Sequence, residues 1–409
     1  MRLLVDGFNL GRADGTGVAS YGRSFLRAVR EEGHETALLL ESEVPPDRLM
    51  RPLRKVADFL LAPCGYRPRP MAATELPATL AAMLPPSDSL WNRRRIFRAA
   101  RGTFRRTGMF TAVRMAGIDV AHWTYPLPLF VPGARNIYTI HDIVPIKYPD
   151  LSTGSAEYRN ICQAIMRRAD HVLTVSERSR GDLIDTFGIG PSRISNTYQP
   201  LSNWQDLASR NTPPPSSAAL LGRWKLESKG YFLFFGAIEP KKNIGRLLEA
   251  YAAADVGTPL VIVSGGGWDN AAEYAKLDRL RGDASASRVV KIDYLPRTEL
   301  EIVIRHARAT IFPSLYEGFG LPALESMSVG TAVITSDRGA LPEIVGQDAL
   351  LVDPLSTIAI RDAIRRIDGD AILRTQLEEG GKARAELFSA DAYRNRVRDV
   401  LRRLDAGPD

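Results

Sequence analysis

The stretch "FPSLYEGFGLPALESMSVGTAVIT", residues 312–335, sets the reading of the chain. The run leading into it, "ARATIF", reads as a short buried strand that stops at Pro313. "EGFGLP" reads as a loop, because Gly318 and Gly320 admit backbone angles that other residues avoid. Pro322 suits the first turn of a helix, where its missing N–H is no loss. "ALESMSVG" continues that helix to Gly330, and "TAVIT" is the next strand. Strand, glycine loop, helix and strand make one crossover unit of a parallel sheet. In such sheets ligands sit outside the strand ends, where helix N-termini turn N–H groups toward anions. Glu317 hangs in the loop and Glu325 near the helix start, both able to face one pocket. Acids beside an anion site make sense if they bind hydroxyls, and a ligand with phosphates and many hydroxyls is a sugar nucleotide. The plain alternative is a glycine-rich turn with solvated glutamates.

A length of 409 residues exceeds one ordinary core and predicts two domains. A content of 44% hydrophobic and 25% charged residues fits a soluble globular chain. Two cysteines, Cys64 and Cys162, form no disulfide framework and fit a reducing, cytoplasmic setting. "MRLLVDGFNL" reads as a first strand rather than a signal peptide, and no run approaches 18 uninterrupted apolar residues. The net charge of +7 is unevenly spread: residues 89–118 hold eight arginines and no acid. Ile96, Phe97, Ala100 and Phe104 fall at helical spacing between those arginines. A basic amphipathic helix of this kind suits an anionic lipid surface. Arg93, Arg94, Arg95 and Arg98 are then candidate membrane contacts, with the chain peripheral on the cytoplasmic face of the inner membrane. An ordinary surface helix with solvated arginines fits the pattern equally. No recognised nucleic-acid module accompanies the run, so no nucleic-acid partner is expected.

Strands and helices alternate through the first half: "RLLVDG", a helix over "VASYGRSFLRAVREEG", "ETALLLE", then "GIDVAHW", "RNIYTIHD" and "HVLTVS" as strands. Residues 63–90, rich in Pro, Ala and Met, read as an insertion or loop. Ser176 is a plausible cap for the next helix. Periodicity stops at "NTPPPSSAALLG" and restarts at "YFLFFGA", with helices from about Asn243 and Asn270. The expected organisation is an N-terminal domain over 1–205, a linker over 206–228 and a second domain over 229–390. A helical tail over 391–409 would pack back on the first domain. No three of the five histidines share metal-ligand spacing, and Asp368 and Asp370, flanking Gly369, read as turn chemistry. No phosphate-binding P-loop and no nucleophile-elbow motif is present. Neither a metal nor another cofactor is expected.

The stretches "FGAIEPKKN" (235–243), "VIVSGGGW" (261–268), the opening stretch with its flanks (294–337) and "ALPEIVG" (340–346) together resemble glycosyltransferase family 4. In the first half "VDGFNLGRADGTGVASYGRSF" (5–25) and "TIHDIVPIKYPD" (139–150) extend the resemblance. It covers most of the chain and is weak over residues 40–110. It implies an α/β GT-B fold, two Rossmann-like domains facing each other across a cleft, the first on the acceptor side and the second binding the nucleotide-sugar, and a retaining hexosyl transfer from that nucleotide-sugar. By the same resemblance, Lys242 stabilises the leaving diphosphate and Lys241 is a second phosphate contact; Ala237 stands where some relatives carry Arg. Glu317 sits close to the transferred sugar, and Glu325 binds the ribose. Gly318, Phe319, Gly320 and Leu321 offer backbone groups to sugar and diphosphate, and Tyr294 and Leu295 flank the base. Gly17, in the loop Gly15–Thr16–Gly17, approaches the diphosphate, and His141 faces the donor sugar with Asp142 orienting it or the acceptor. Taken alone, the lysine pair fits a plain surface turn and His141 a structural residue. GDP-mannose is the first donor expectation, ahead of UDP-glucose and GDP-fucose. The resemblance to O-antigen and exopolysaccharide mannosyltransferases implies a glycan or undecaprenyl-diphosphate-linked acceptor. Two other readings remain: a sugar-nucleotide epimerase, or a non-catalytic nucleotide-sugar or lipid-surface binding protein on the same scaffold.

Overall fold

Apolar runs without polar alternation, such as "FLFF", "LVIV" and "ATIF", suit strands covered on both faces, which is the situation of parallel strands under helices. The computed structural model of the protein describes residues 1–10, 17–41, 65–76, 78–151, 154–201, 216–265, 275 and 288–406. These residues fall into two compact units, Met1–Pro200 with Ala390–Asp409, and Leu201–Ser389. Gly15, Thr16, residues 206–215 and the helix expected from Asn270 lie outside the described residues.

In the first unit the strands are β1 (Arg2–Asp6), β2 (Glu35–Leu40), β3 (Arg69–Met71), β4 (Ser89–Asn92), β5 (Thr111–Ala112), β6 (Val120–Trp123), β7 (Leu129–Phe130), β8 (Arg135–Thr139), β9 (His171–Thr174) and β10 (Ile194–Asn196). Eight of them form one sheet in the order β10-β9-β8-β6-β1-β2-β4-β3, and β5 pairs with β7 separately. The large sheet is parallel except at the β3–β4 edge. Within the stretch expected to be an insertion, β3 and β4 extend the sheet. The signal was weak because both strands are short and Pro70 sits in the edge strand, where a missing donor is tolerated. Helix α1 (Gly17–Glu31) buries Tyr21, Phe25, Leu26 and Val29. Helix α2 (Ile96–Thr107) buries Ile96, Phe97, Ala100, Thr103 and Phe104. Helix α3 is Ser155–Arg168. Ser176 caps the helix Glu177–Phe187, its hydroxyl accepting the Ser179 N–H at 3.0 Å.

That packing corrects the expectation of a lipid-facing helix. The apolar stripe of α2 belongs to the unit's own core, with Phe97 edge-on to Phe8 at 5.4 Å, so it is not available to a bilayer. Of the four arginines named for membrane contact, Arg98 is exposed and Arg93, Arg94 and Arg95 are half-buried. The Arg93 guanidinium lies 4.9 Å from the Tyr66 ring centre. No described helix is long and apolar enough to cross a membrane.

The second unit carries β11 (Phe232–Phe235), β12 (Leu260–Val263), β13 (Val289–Ile292), β14 (Ala309–Phe312), β15 (Ala332–Ser336) and β16 (Leu350–Val352), all parallel, in the order β13-β12-β11-β14-β15-β16. Counted within the unit this is the doubly wound order 3-2-1-4-5-6. Its helices include α4 (Ile244–Ala254), α5 (Arg297–Arg305), α6 (Leu321–Ser328) and α7 (Leu341–Val345). Residues 216–228, expected as linker, are part of this unit: Ser216 caps the helix Ser217–Gly222, and Leu220 and Leu221 are buried. The last helix, α8 (Ala390–Ala406), belongs to the first unit, where Arg394 meets Glu31 of α1 at 2.8 Å and the Tyr393 ring lies 6.0 Å from Tyr21.

Candidate active site

In a doubly wound sheet the strand order reverses between the first and fourth strands, and the loops leaving them part to open a crevice. In the second unit those strands are β11 and β14. The loop after β11 carries Lys241 and Lys242; the loop after β14 carries Glu317. Pro240–Lys242 forms a single tight turn closed by Asn243 at φ 60. The Asn243 amide donates to the Pro313 carbonyl at 3.0 Å and the Pro354 carbonyl at 2.7 Å. Asparagine tolerates that left-handed backbone and supplies the two donors that pin the turn. The Leu315 N–H donates to the Lys241 carbonyl at 2.8 Å, so main chain also ties the loops together.

This frame brings the Lys242 ammonium 2.6 Å from Glu317 Oε1, with little solvent reaching either side chain. Burial alone would push the Glu317 carboxyl up, but Lys242 and then Lys241 outweigh it and hold the group below its ordinary value. Glu317 is therefore a firm anion. Its backbone is locked too. The Ala340 N–H donates to the Glu317 carbonyl at 3.0 Å. Gly339, at φ +64, sits so close that a Cβ there would lie 2.5 Å from that carbonyl oxygen. Glu325 lies in the second turn of α6, 2% exposed, and accepts from the Arg297 guanidinium. Burial pushes its carboxyl up and Arg297 only partly opposes this. The two glutamates of the opening stretch thus sit in different fields, one between lysines and one against a single guanidinium.

Gly320, at φ 105, precedes α6, and a Cβ there would meet Leu341 of α7 at 2.6 Å. No side chain caps the start of α6. Gly318, Phe319, Gly320 and Leu321 form this approach. The Phe319 ring is buried edge-on against Phe388 at 5.8 Å. After β13, Tyr294 is 72% exposed beside Gly265, Leu295 is buried, and Arg297 joins their segment to Glu325. Sequence reading missed Asn243, Arg297 and Gly339. "KKN" and "DRGA" held a signal, since Asn and Gly are the residues that accept left-handed backbone; Arg297 had none, because its partner lies 28 residues away.

In the first unit, His141 follows β8 and is half-buried. Its Nε2 lies 3.1 Å from the Thr124 carbonyl, an acceptor, so Nε2 carries the proton and Nδ1 is left as an acceptor. Burial lowers the basicity of the ring, with the Thr124 carbonyl and Asp142 opposing. Tyr21 of α1 packs edge-on at 4.9 Å and bonds Thr139 at 3.0 Å. The Thr124 segment is held by Asp6 at the end of β1, whose carboxylate accepts the N–H groups of Thr124 and Phe8. Burial pushes Asp6 up to about 6 against those hydrogen bonds. Asp142, expected to orient the imidazole, accepts the Val144 N–H at 3.0 Å and so closes its own turn. Gly17 is exposed at the start of α1, its carbonyl accepting from Gln199 at 2.9 Å. Asp368 bonds Arg308 and Thr258, and Asp370 caps a helix at Leu373, so this pair is structural. Among the described residues no three His, Cys, Asp or Glu side chains are grouped to hold a metal ion.

Comparison with known proteins places the chain among glycosyltransferases. A model described as Glycosyltransferase Family 4 matches residues 15–198, and one described as Glycosyl transferases group 1 matches residues 223–384. The chain is 32% identical over 262 residues to O-antigen chain mannosyltransferase B of Escherichia coli, covering 62% of this chain and 67% of that protein. It is 30% identical over 249 residues to O-antigen chain mannosyltransferase RfbU of Salmonella typhimurium strain LT2, covering 60% and 65%. It thus spans about two thirds of the length of both relatives. Sucrose-phosphate synthase of Thermosynechococcus elongatus shares the fold, with TM-score 0.70 over 99% of both chains at 19% identity.

Proposed function

The chain belongs to glycosyltransferase family 4, as a hexosyltransferase of the GT-B architecture, and from that premise we propose that it moves mannose from GDP-mannose to a hydroxyl of a glycan or lipid-linked glycan in cell-surface polysaccharide assembly. The observation that carries the donor site is the Lys242–Glu317 pair at the β11/β14 reversal point. Mannose as the sugar rests on the two mannosyltransferase relatives.

In this account the second unit holds the donor. Lys241 and Lys242 neutralise charge on the diphosphate as the sugar–phosphate bond breaks. Glu325, fixed by Arg297, accepts two ribose hydroxyls. Glu317 lies against the sugar and, being ionised, supports positive charge at its anomeric carbon. The acceptor oxygen bonds that carbon on the face the diphosphate leaves, the carbon–phosphate-oxygen bond breaks, and the acceptor's proton passes to the departing phosphate. The anomeric configuration is retained and no covalent carboxylate intermediate forms. His141 serves sugar or acceptor hydroxyls from its own unit through Nδ1. The lysines take the place of a metal in this scheme, so turnover is expected to survive EDTA.

The test is transfer from GDP-mannose to an acceptor glycan, measured for the wild type and Glu317→Ala. Glu317→Ala should lower kcat by roughly a hundredfold or more while the KM for donor changes little. Equal losses in kcat and donor affinity would make Glu317 a binding residue only. Absence of GDP-mannose turnover, with another sugar nucleotide consumed, would replace the donor.

A further inference from the structure

The arginines of α2 are not accounted for by the donor chemistry, and they line a cleft of ≈670 Å³ in the first unit. Arg98, Arg101 and Arg105 project into it along with Glu41, Glu157 and Phe8. Among the described residues three guanidiniums face two carboxylates, and both carboxylates are engaged. Glu41 accepts the Phe97 N–H at 2.9 Å, which places its charge on the first turn of α2. Glu157 of α3 is shared, 3.3 Å from Arg101 and 3.9 Å from Arg105. One carboxylate holding two guanidiniums makes them converge without neutralising both. The lining therefore keeps a positive excess that suits a phosphate or diphosphate, which guanidiniums bind bidentately.

The cleft is joined to His141 through its walls. It opens beside Gly7 and Phe8, at the end of β1 where Asp6 holds the Phe8 N–H. The Phe8 ring packs on Tyr125 at 5.7 Å, next in the chain to Thr124, whose carbonyl receives His141. On α3, Tyr158 follows Glu157 and donates to the Asp142 carbonyl at 2.8 Å. The α3 wall thus carries both the arginine pair's counter-charge and a support of the His141 turn.

We propose that this cleft receives the acceptor by a phosphoryl or diphosphoryl group bound between Arg98, Arg101 and Arg105, so the acceptor is anionic. This rests on the reading of the first unit as the acceptor side. The anion comes either from a soluble sugar phosphate or from a lipid-linked diphosphate.

Inorganic pyrophosphate is the probe, titrated by calorimetry into chains that also carry Lys242→Ala to weaken the donor phosphate site. Arg101→Gln and Arg105→Gln should each weaken binding roughly fivefold or more, while Arg106→Gln, an equal charge change one residue further along α2, should change it by less than about twofold. Equal weakening by Arg105→Gln and Arg106→Gln overturns the proposal. So does unchanged binding in both cleft variants at the melting temperature of the parent Lys242→Ala chain. Vesicles of phosphatidylcholine with and without phosphatidylglycerol separate the sources. Vesicle binding that pyrophosphate competes away and that Arg105→Gln abolishes assigns a lipid-borne phosphate; pyrophosphate binding without vesicle binding assigns a soluble one. Vesicle binding indifferent to pyrophosphate and weakened alike by Arg105→Gln and Arg106→Gln overturns the proposal. GDP, titrated into an Arg105→Gln chain with Lys242 intact, reports on the donor site. If GDP fails to bind while the pyrophosphate pattern holds, the donor reading falls and the cleft stands.

Discussion

Glu317 and Lys242 need each other before they need a substrate. Removing the lysine leaves a carboxylate with little access to water, and breaking such a pair costs on the order of 3 kcal/mol. Lys242→Ala should therefore lower the melting temperature as well as turnover. Glu317→Gln, which keeps a polar partner for the ammonium, should keep more of the stability than Glu317→Ala and lose comparable turnover. Because the folded Glu317 carboxyl is held below its unfolded value of 4.5, the pair's stabilisation is present above that pH and is lost as pH falls through the lower, folded value. Asp6 has the opposite sign. Its folded value of about 6 lies above its unfolded 3.8, so ionising it opposes folding, and its contribution worsens as pH rises between those values. Asp6→Asn should remove this dependence: relative to the variant, the wild type should gain stability as pH falls from 7 toward 4. The variant cannot accept both N–H groups, so the Thr124 segment should loosen and kcat should fall roughly tenfold or more, measured beside unchanged GDP affinity.

At the scale of elements, the glycine positions are the sharpest tests. Gly339→Ala places a methyl against the Glu317 carbonyl in a left-handed backbone, and should cost about 1–3 kcal/mol and shift the Glu317 loop. Gly133, also at positive φ but with nothing within 4 Å of a Cβ, is the control, and its alanine variant should cost less. Legibility in the sequence follows the same lines. The unit from strand to strand around Glu317 was readable because a β-branched run, two glycines, a proline and a second apolar run each force a local geometry. The α2 helix was readable as a helix but not as to its partner: Ile96, Phe97, Ala100 and Phe104 show an apolar face, and only packing says that the face meets Phe8 and Phe110 rather than lipid. Strands β3 and β4 were unreadable because three or four residues hold too few alternations to show a period, and β3 includes a proline. Arg297 was unreadable because its role depends on Glu325, brought near by the sheet order.

At the scale of the whole molecule, the chain leaves its first unit at Pro200 and returns to it at Ala390. Helix α8 buries Tyr393, Val397, Val400, Leu401 and Leu404. Each such side chain contributes about 1.5–3 kcal/mol when fully covered, so a chain ending at Ser389 should lose the first unit's cooperative unfolding. Two unfolding transitions in the full chain, with the first unit's transition lost from the truncated one, would be seen by calorimetry. A truncated chain that melts as the full chain does would contradict the packing of α8 on α1.

The central claim is that the second unit holds a guanosine diphosphate sugar between Lys242 and Glu325. It is tested most directly by titrating GDP, UDP, dTDP and ADP against the melting temperature of the wild type and of Glu325→Ala. A ligand that binds only the folded chain adds stability as RT ln(1 + [L]/Kd), so the shift grows with concentration above Kd. The account predicts a rise with GDP that exceeds those of the other three nucleotides and is largely lost in Glu325→Ala. A larger rise with another nucleotide would contradict the guanosine assignment. No rise with any of the four, in a chain that melts cooperatively, would contradict the donor site itself.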